Sequence, residues 1–173
     1  NRLVNDLMEL ARLQNPDFPI ESGELTMREV LLDALRGAER LAQPKGITIS
    51  RSMPETSVVY QGDYARLRQM LLIVLDNAVK FSHPDSEIIL SITCNNGKAR
   101  VSVKDNGVGM TAEQVNALSD ASKQKRSTTG TVGEKGSGLG LIICREMLER
   151  NDSKLIIHSS ENVGTEIEFY LTV

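Results

Sequence analysis

Three stretches of this 173-residue chain carry residue types that could hold a flat, charged ligand. In the first, Ile73, Asn77 and Lys80 fall on one helical stripe, opposite the apolar set Leu67, Leu71 and Val74. Asparagine is a poor helix former and needs a hydrogen-bond partner if buried. Its amide oxygen is a hard ligand suited to Mg²⁺, and a lysine one turn further on can meet a phosphate as a point charge. A hydrogen-bonded Asn77 in the core with a solvated Lys80 is the plainer alternative.

The second stretch, Asp105-Asn106-Gly107-Val108-Gly109-Met110, leaves a strand end. Glycines permit unusual dihedrals and close approach of a ligand to backbone, and an ionised Asp105 could accept from an exocyclic amine such as that of adenine. A tight turn capped by Asp105 is the plainer reading of that segment alone. The third, Gly133-Glu134-Lys135-Gly136-Ser137-Gly138-Leu139-Gly140, leads directly into a helix. Free N–H groups and the positive dipole end at a helix start favour phosphate; a flexible hinge is the alternative. Two familiar phosphate loops are excluded. Gly133 and Gly138 have the Walker interval, but Leu139 follows where lysine is required. The even spacing of Gly136, Gly138 and Gly140 also breaks the dinucleotide fingerprint.

The elements that must position these stretches follow from periodicity. Leu3, Leu7 and Leu10 mark a helix over residues 1–14, stopped by Asn15-Pro16. Thr26 with Glu29 reads as a capping box for a helix running to Gln43-Pro44. Ile47 and Ile49, and then Val58 to Tyr60, read as strands. Asp63 caps a long helix through Phe81, with Leu67, Met70, Leu71, Val74 and Ala78 inward. Strands at 88–93 and 99–103 are joined by the turn Asn95-Asn96-Gly97. A short helix at 111–118, a polar loop at 119–136, a helix at 139–149 and strands at 155–158 and 166–172 complete the chain. The expectation is an α/β two-layer sandwich: a mixed, mostly antiparallel sheet of about five strands on three helices, with a helical stub in front.

Composition narrows the function. Net charge is −3 and aromatics are 3% with no Trp. A single-strand nucleic-acid platform needs stacking aromatics, and a DNA binder needs a basic stripe, so nucleic acid is not an expected partner. Cys94 and Cys144 lie in apolar runs and read as buried free thiols. No apolar run approaches the roughly 20 residues of a membrane span. The chain opens on Asn1 inside a helical pattern, as a piece of something longer would.

Together and in this order, the stretches Leu75-Asp76-Asn77-Ala78-Val79-Lys80-Phe81-Ser82, Asp105 to Met110, and Gly136-Ser137-Gly138-Leu139-Gly140-Leu141 resemble the N, G1 and G2 boxes of sensor histidine kinases. That ATP-binding domain belongs to a superfamily shared with gyrase B and Hsp90. The resemblance runs from about Thr26 to the end, giving an ATP-binding domain at 26–173 and a linker at 16–25. Residues 1–15 resemble the end of the dimerisation and phosphotransfer helix.

The resemblance implies ATP and Mg²⁺ as cofactors. It places Asn77 on the metal, Lys80 on phosphate, and Phe81 at the pocket flank. Asp105 would take the adenine amine, Gly107 and Gly109 would shape that wall, and Thr165 would lie nearby. Gly136, Ser137, Gly138 and Gly140 would cradle phosphate at the base of a glycine-rich lid, with Leu139 packed beneath. Lys123, Lys125 and Arg126 in the lid could reach phosphate or stay solvated. The γ-phosphoryl would pass to a histidine on the helical domain of the same or the partner protomer of a homodimer, then to a response regulator. His83 and His158 lack the setting of that acceptor, so no catalytic residue of the transfer is expected within the chain. The resemblance implies a cytoplasmic placement, whether or not the parent is anchored to a membrane.

Two departures stand out. Ile73 occupies the position where hydrolysing relatives carry a glutamate, and a hydrocarbon cannot be a general base. No phenylalanine-bearing F box is recognisable between the second and third stretches. Two other readings therefore stay open: an interaction module impaired in nucleotide binding, and another kinase of the superfamily such as an anti-sigma serine kinase. Saturable binding of an ATP analogue separates the first from an active kinase.

Overall fold

A computed structural model describes residues 2–15, 17–119 and 139–173. Among these residues there are five α-helices, α1 (Arg2–Gln14), α2 (Met27–Ala42), α3 (Tyr64–Phe81), α4 (Ala112–Ser119) and α5 (Gly140–Glu149), and seven strands. The strands are β1 (Gly23–Thr26), β2 (Thr48–Ser52), β3 (Val59–Gly62), β4 (Glu87–Asn95), β5 (Lys98–Asp105), β6 (Ile156–Ser160) and β7 (Gly164–Thr172). The main sheet has the order β2-β4-β5-β7-β6, and β1 pairs with β3 in a separate ribbon. Among the described strands only β2–β4 is parallel; the other pairs are antiparallel. This is the mixed two-layer sandwich expected from the periodicities.

The two repeat lengths explain the packing. Along the central strands every second residue is buried: Ile88, Leu90 and Ile92 on β4, Ala99, Val101 and Val103 on β5, Ile167, Phe169 and Leu171 on β7. On α3 the buried set is Leu67, Met70, Leu71, Val74, Leu75, Ala78 and Val79, a stripe of period 3.6. That helix starts where Asp63 accepts the Arg66 N–H at 3.1 Å, as an N-cap should. The β4–β5 hairpin closes through Asn96 and Gly97, both at positive φ, the two-residue loop that suits a right-twisted ladder.

Two expectations are corrected. Thr26 makes no side-chain cap to α2. It ends β1, and the Met27 N–H donates instead to the Val58 carbonyl at 2.9 Å, so the residue just before β3 does the work of a cap. The capping box appears elsewhere, at α4, where Thr111 and Gln114 exchange backbone-to-side-chain bonds of 2.9 and 3.2 Å. Cys94 is exposed, while Cys144 is buried. Cys94 stands near the end of β4 beside the hairpin, past the last strand residue that the helices cover.

α1 lies against α5. Leu13 is buried there, and Arg150 donates to the carbonyls of Leu13 and Phe18 at 3.2 and 3.3 Å. The outer stripe of α1, formed by Leu3, Val4, Leu7 and Met8, is about half exposed. Arg145 on α5 donates to the Leu118 carbonyl of α4 at 2.9 Å, tying together the two ends of the interval 120–138. No described helix is long and apolar enough to cross a membrane.

Candidate functional site

The sandwich brings the end of α3, the segment after β5, the β6–β7 turn and the start of α5 to one side of the molecule. Asn77 and Lys80 lie on the half-exposed face of α3 together with Ile73 and Asp76. The plainer alternative, Asn77 hydrogen-bonded in the core, is not realised. Its side-chain amide has no hydrogen-bond partner among the described residues. Lys80 pairs with Asp76 one turn back at 3.3 Å. Phe81 closes the helix with its ring about half exposed.

At the end of β5 the Asp105 carboxylate is buried, and its Oδ1 accepts the Gly107 N–H at 2.8 Å. The capped-turn reading therefore holds. Burial pushes the carboxyl above the ordinary carboxylate range, against the downward pull of the Gly107 and Thr165 backbone N–H groups. A buried acceptor of this kind favours a ligand that brings its own hydrogen-bond donor.

The glycines that follow are required by backbone contact. A Cβ on Gly107 would lie 2.0 Å from the Phe81 carbonyl oxygen. One on Gly109, at φ +67°, would lie 1.9 Å from that of Ser160. The Val108 N–H donates to the Phe81 carbonyl at 3.0 Å, and the Val108 carbonyl accepts from Asn162 at 2.7 Å. This segment is thus clamped between α3 and the β6–β7 turn. Gly140 opens α5 against Ile73, whose Cγ2 stands 2.9 Å from where a Cβ would be; Leu139 precedes it, half-buried and packed on the core.

Thr165 faces Asp105 in register across β5–β7. Its hydroxyl lies 2.7 Å from that of Ser159. Ser159 donates to the Gly164 carbonyl at 3.0 Å and accepts the Met110 N–H at 2.8 Å, so the Thr165 hydroxyl supplies the proton in the bond between them. Sequence reasoning missed Ser159, a serine in a short strand with no motif around it. It also missed Lys45, whose ammonium reaches the end of α3. Lys123, Gly136, Ser137 and Gly138, with Lys125 and Arg126, lie outside the described residues. His83 is exposed in the turn after α3, and His158 is an exposed strand residue 3.5 Å from Glu168. Among the described residues no group of three His, Cys, Asp or Glu side chains could hold a metal.

Comparison with known proteins adds independent findings. The sequence profile of the family described as histidine kinase-, DNA gyrase B-, and HSP90-like ATPase matches residues 62–173. The autoinducer 2 sensor kinase/phosphatase LuxQ of Vibrio cholerae is 29% identical over 99% of the chain and 20% of its own length. The adaptive-response sensory kinase SasA of Gloeothece citriformis is 26% identical over 100% of the chain and 44% of its own length. The chain therefore spans between a fifth and less than half of these relatives. Among solved structures, full-length ShkA in complex with AMPPNP superposes with a TM-score of 0.83 at 26% identity, over 98% of this chain and 35% of that one. The catalytic domain of histidine kinase ThkA gives a TM-score of 0.75 at 23% identity, over 88% of this chain and 95% of that one, and bears on the fold alone.

Proposed function

The chain belongs to the family of histidine kinase-, DNA gyrase B- and HSP90-like ATPases, and from that premise we propose that it is the ATP-binding catalytic domain of a sensor histidine kinase. The observation that carries this reading is the clamp of the Asp105–Gly109 segment onto the end of α3 through the Phe81 carbonyl and the Val108 N–H. It joins a buried amine acceptor, Asp105, to the helix that bears Asn77 and Lys80. Those are the two ends that an adenine nucleotide would need.

In this reading Asp105 accepts from the adenine amine, with Gly107, Gly109 and Thr165 around it and Phe81 at the flank. Lys80 turns from Asp76 to phosphate. Asn77 fits a Mg²⁺ role because its amide is half-buried on the right stripe and has no hydrogen-bond partner among the described residues; when bound, the ion would neutralise phosphate charge. Leu139 and Gly140 at the start of α5, with Gly136, Ser137 and Gly138 before them in the sequence, would bind phosphate, and Lys123 would add a cation to it. Catalysis is then positioning and charge stabilisation, with the γ-phosphoryl passing to a histidine on a separate helical domain. Ile73 supplies no general base, so hydrolysis by the domain alone is slow.

Residues 1–15 are, on the same reading, the end of the dimerisation and phosphotransfer helix. The half-exposed stripe Leu3, Val4, Leu7 and Met8 is the face that would meet the rest of that domain in a homodimer. A response regulator receives the phosphoryl group. The test is Mg²⁺-dependent, saturable binding of AMPPNP by the chain, with Asn77→Asp and Asp105→Asn as controls, followed by phosphoryl transfer from ATP to a supplied helical domain. Absence of saturable binding by the parent chain overturns the kinase reading in favour of an interaction module. Binding without transfer to histidine, but with transfer to serine on a partner, favours the other kinase class.

A further inference from the structure

An α-helix leaves its last carbonyls without helical partners, and each must find a donor or water. At the end of α3 all of them are accounted for. The Ala78 carbonyl accepts from the Ser82 N–H at 3.0 Å. Those of Val79, Lys80 and Ser82 all accept from one group, the ammonium of Lys45, at 2.8, 3.1 and 3.2 Å. The remaining carbonyl, that of Phe81, accepts from Val108. A cation at a helix C-terminus also meets the negative end of the dipole.

Lys45 is itself held. Its carbonyl accepts the Asp85 N–H at 2.9 Å, and Gly46 next to it, at φ +66°, leaves no room for a Cβ beside the Asp85 carboxylate. Thr48 then donates to the Ser86 carbonyl at 3.0 Å as β2 begins. The ammonium is thus anchored from the far side of the turn that follows α3. Its three bonds leave the Phe81 carbonyl pointing at the loop after β5.

We infer that Lys45 is a positioning residue for the nucleotide site: by binding the carbonyls of Val79, Lys80 and Ser82 it sets the direction of the Phe81 carbonyl, and so the seat of the Asp105–Gly109 segment against Asn77 and Lys80. It touches neither adenine nor phosphate. The inference rests on the nucleotide reading above.

The experiment compares the parent chain with Lys45→Met, which keeps the aliphatic stem and removes the donors, and with Lys45→Arg, which restores them. AMPPNP affinity is measured with Mg²⁺ well below the thermal midpoint. Amide hydrogen exchange of Val108 and Val101 is followed without nucleotide. The expected result is about a tenfold weaker affinity in K45M, recovery to within about threefold in K45R, and faster exchange at Val108 with Val101 unchanged. Unchanged affinity and unchanged Val108 protection in folded K45M overturn the inference. If K45M does not fold, Lys45→Gln, with its shorter amide donor, carries the same comparison. A parent chain that binds no AMPPNP overturns the nucleotide reading, and the Val108 exchange then decides the coupling between Lys45 and the loop by itself.

Discussion

Asp105 stands directly opposite Thr165 in the β5–β7 ladder, with its carboxylate buried at the strand end and one oxygen taken by the Gly107 N–H. The strand register, through that pairing, brings an acidic acceptor and a hydroxyl network to the same rim.

Removing the charge at this position should separate stability from binding. Burial raises the Asp105 carboxyl above its ordinary range, so the folded protein holds that proton more tightly than the unfolded chain. Ionised Asp105 therefore costs stability above its folded pKa, and the cost fades as pH falls through the window between the folded and unfolded values. Asp105→Asn is expected to leave the neutral-pH thermal midpoint equal or higher. It should weaken AMPPNP by about tenfold to a hundredfold, the loss of a hydrogen bond to a charged acceptor. In the parent, nucleotide affinity should begin to fall on acidification at a pH above the usual carboxylate range, which calorimetric titration across pH would detect.

Gly107→Ala places a methyl group 2.0 Å from the Phe81 carbonyl oxygen, so either the segment or the helix end has to move. A loss of about 1–3 kcal/mol in urea unfolding is expected, together with weaker nucleotide binding. A variant with parental stability would show that the contact between loop and helix yields easily.

On the sheet face opposite the helices, Arg100 binds Glu166 at 2.8 Å and also contacts Glu168, whose side chain is only 8% exposed. Removing the guanidinium leaves the buried Glu168 carboxylate without its cationic partner. Arg100→Met should therefore destabilise the domain by about 2 kcal/mol or more, and Arg100→Met with Glu168→Leu by less. Urea denaturation of the single and double variants reads the difference.

Arg150 fastens α1 and the segment after it to α5 through the carbonyls of Leu13 and Phe18, and Arg66 stacks 5.0 Å from the Phe18 ring centroid. Arg150→Ala should free this strap at a cost of about 1–3 kcal/mol in local opening. The measurement is limited proteolysis between residues 14 and 23. Cleavage no faster than in the parent would deny Arg150 that role.

The two cysteines should differ in reactivity. Cys94 is exposed, whereas Cys144 is buried and its thiol is pushed well above the ordinary range by desolvation. An aromatic disulfide reagent should therefore titrate one thiol in the native chain and two in denaturant. Rapid labelling of both under native conditions would contradict the burial of Cys144.

What the sequence alone determined was whatever depends on near neighbours. The period of Leu67, Met70, Leu71, Val74 and Ala78 defines α3, and Asp63 starts it; alternation defines β4 and β5, and Asn96-Gly97 turns the hairpin. The three motif stretches were legible because each is a short run of special residues. Contacts between residues far apart in the chain were decided by the tertiary structure. β1 carries no apolar alternation and exists because β3 pairs with it, which is also why Thr26 never acts as a cap. Cys94 lies in an apolar run, yet the helices do not reach that end of β4. Lys45, Ser159 and Arg150 have ordinary sequence surroundings and acquire roles only from carbonyls and hydroxyls that the fold brings to them. Periodicity encodes which face of an element is buried, but long-range hydrogen bonds leave no mark on spacing. Only the assembled sandwich reveals what holds its motifs together.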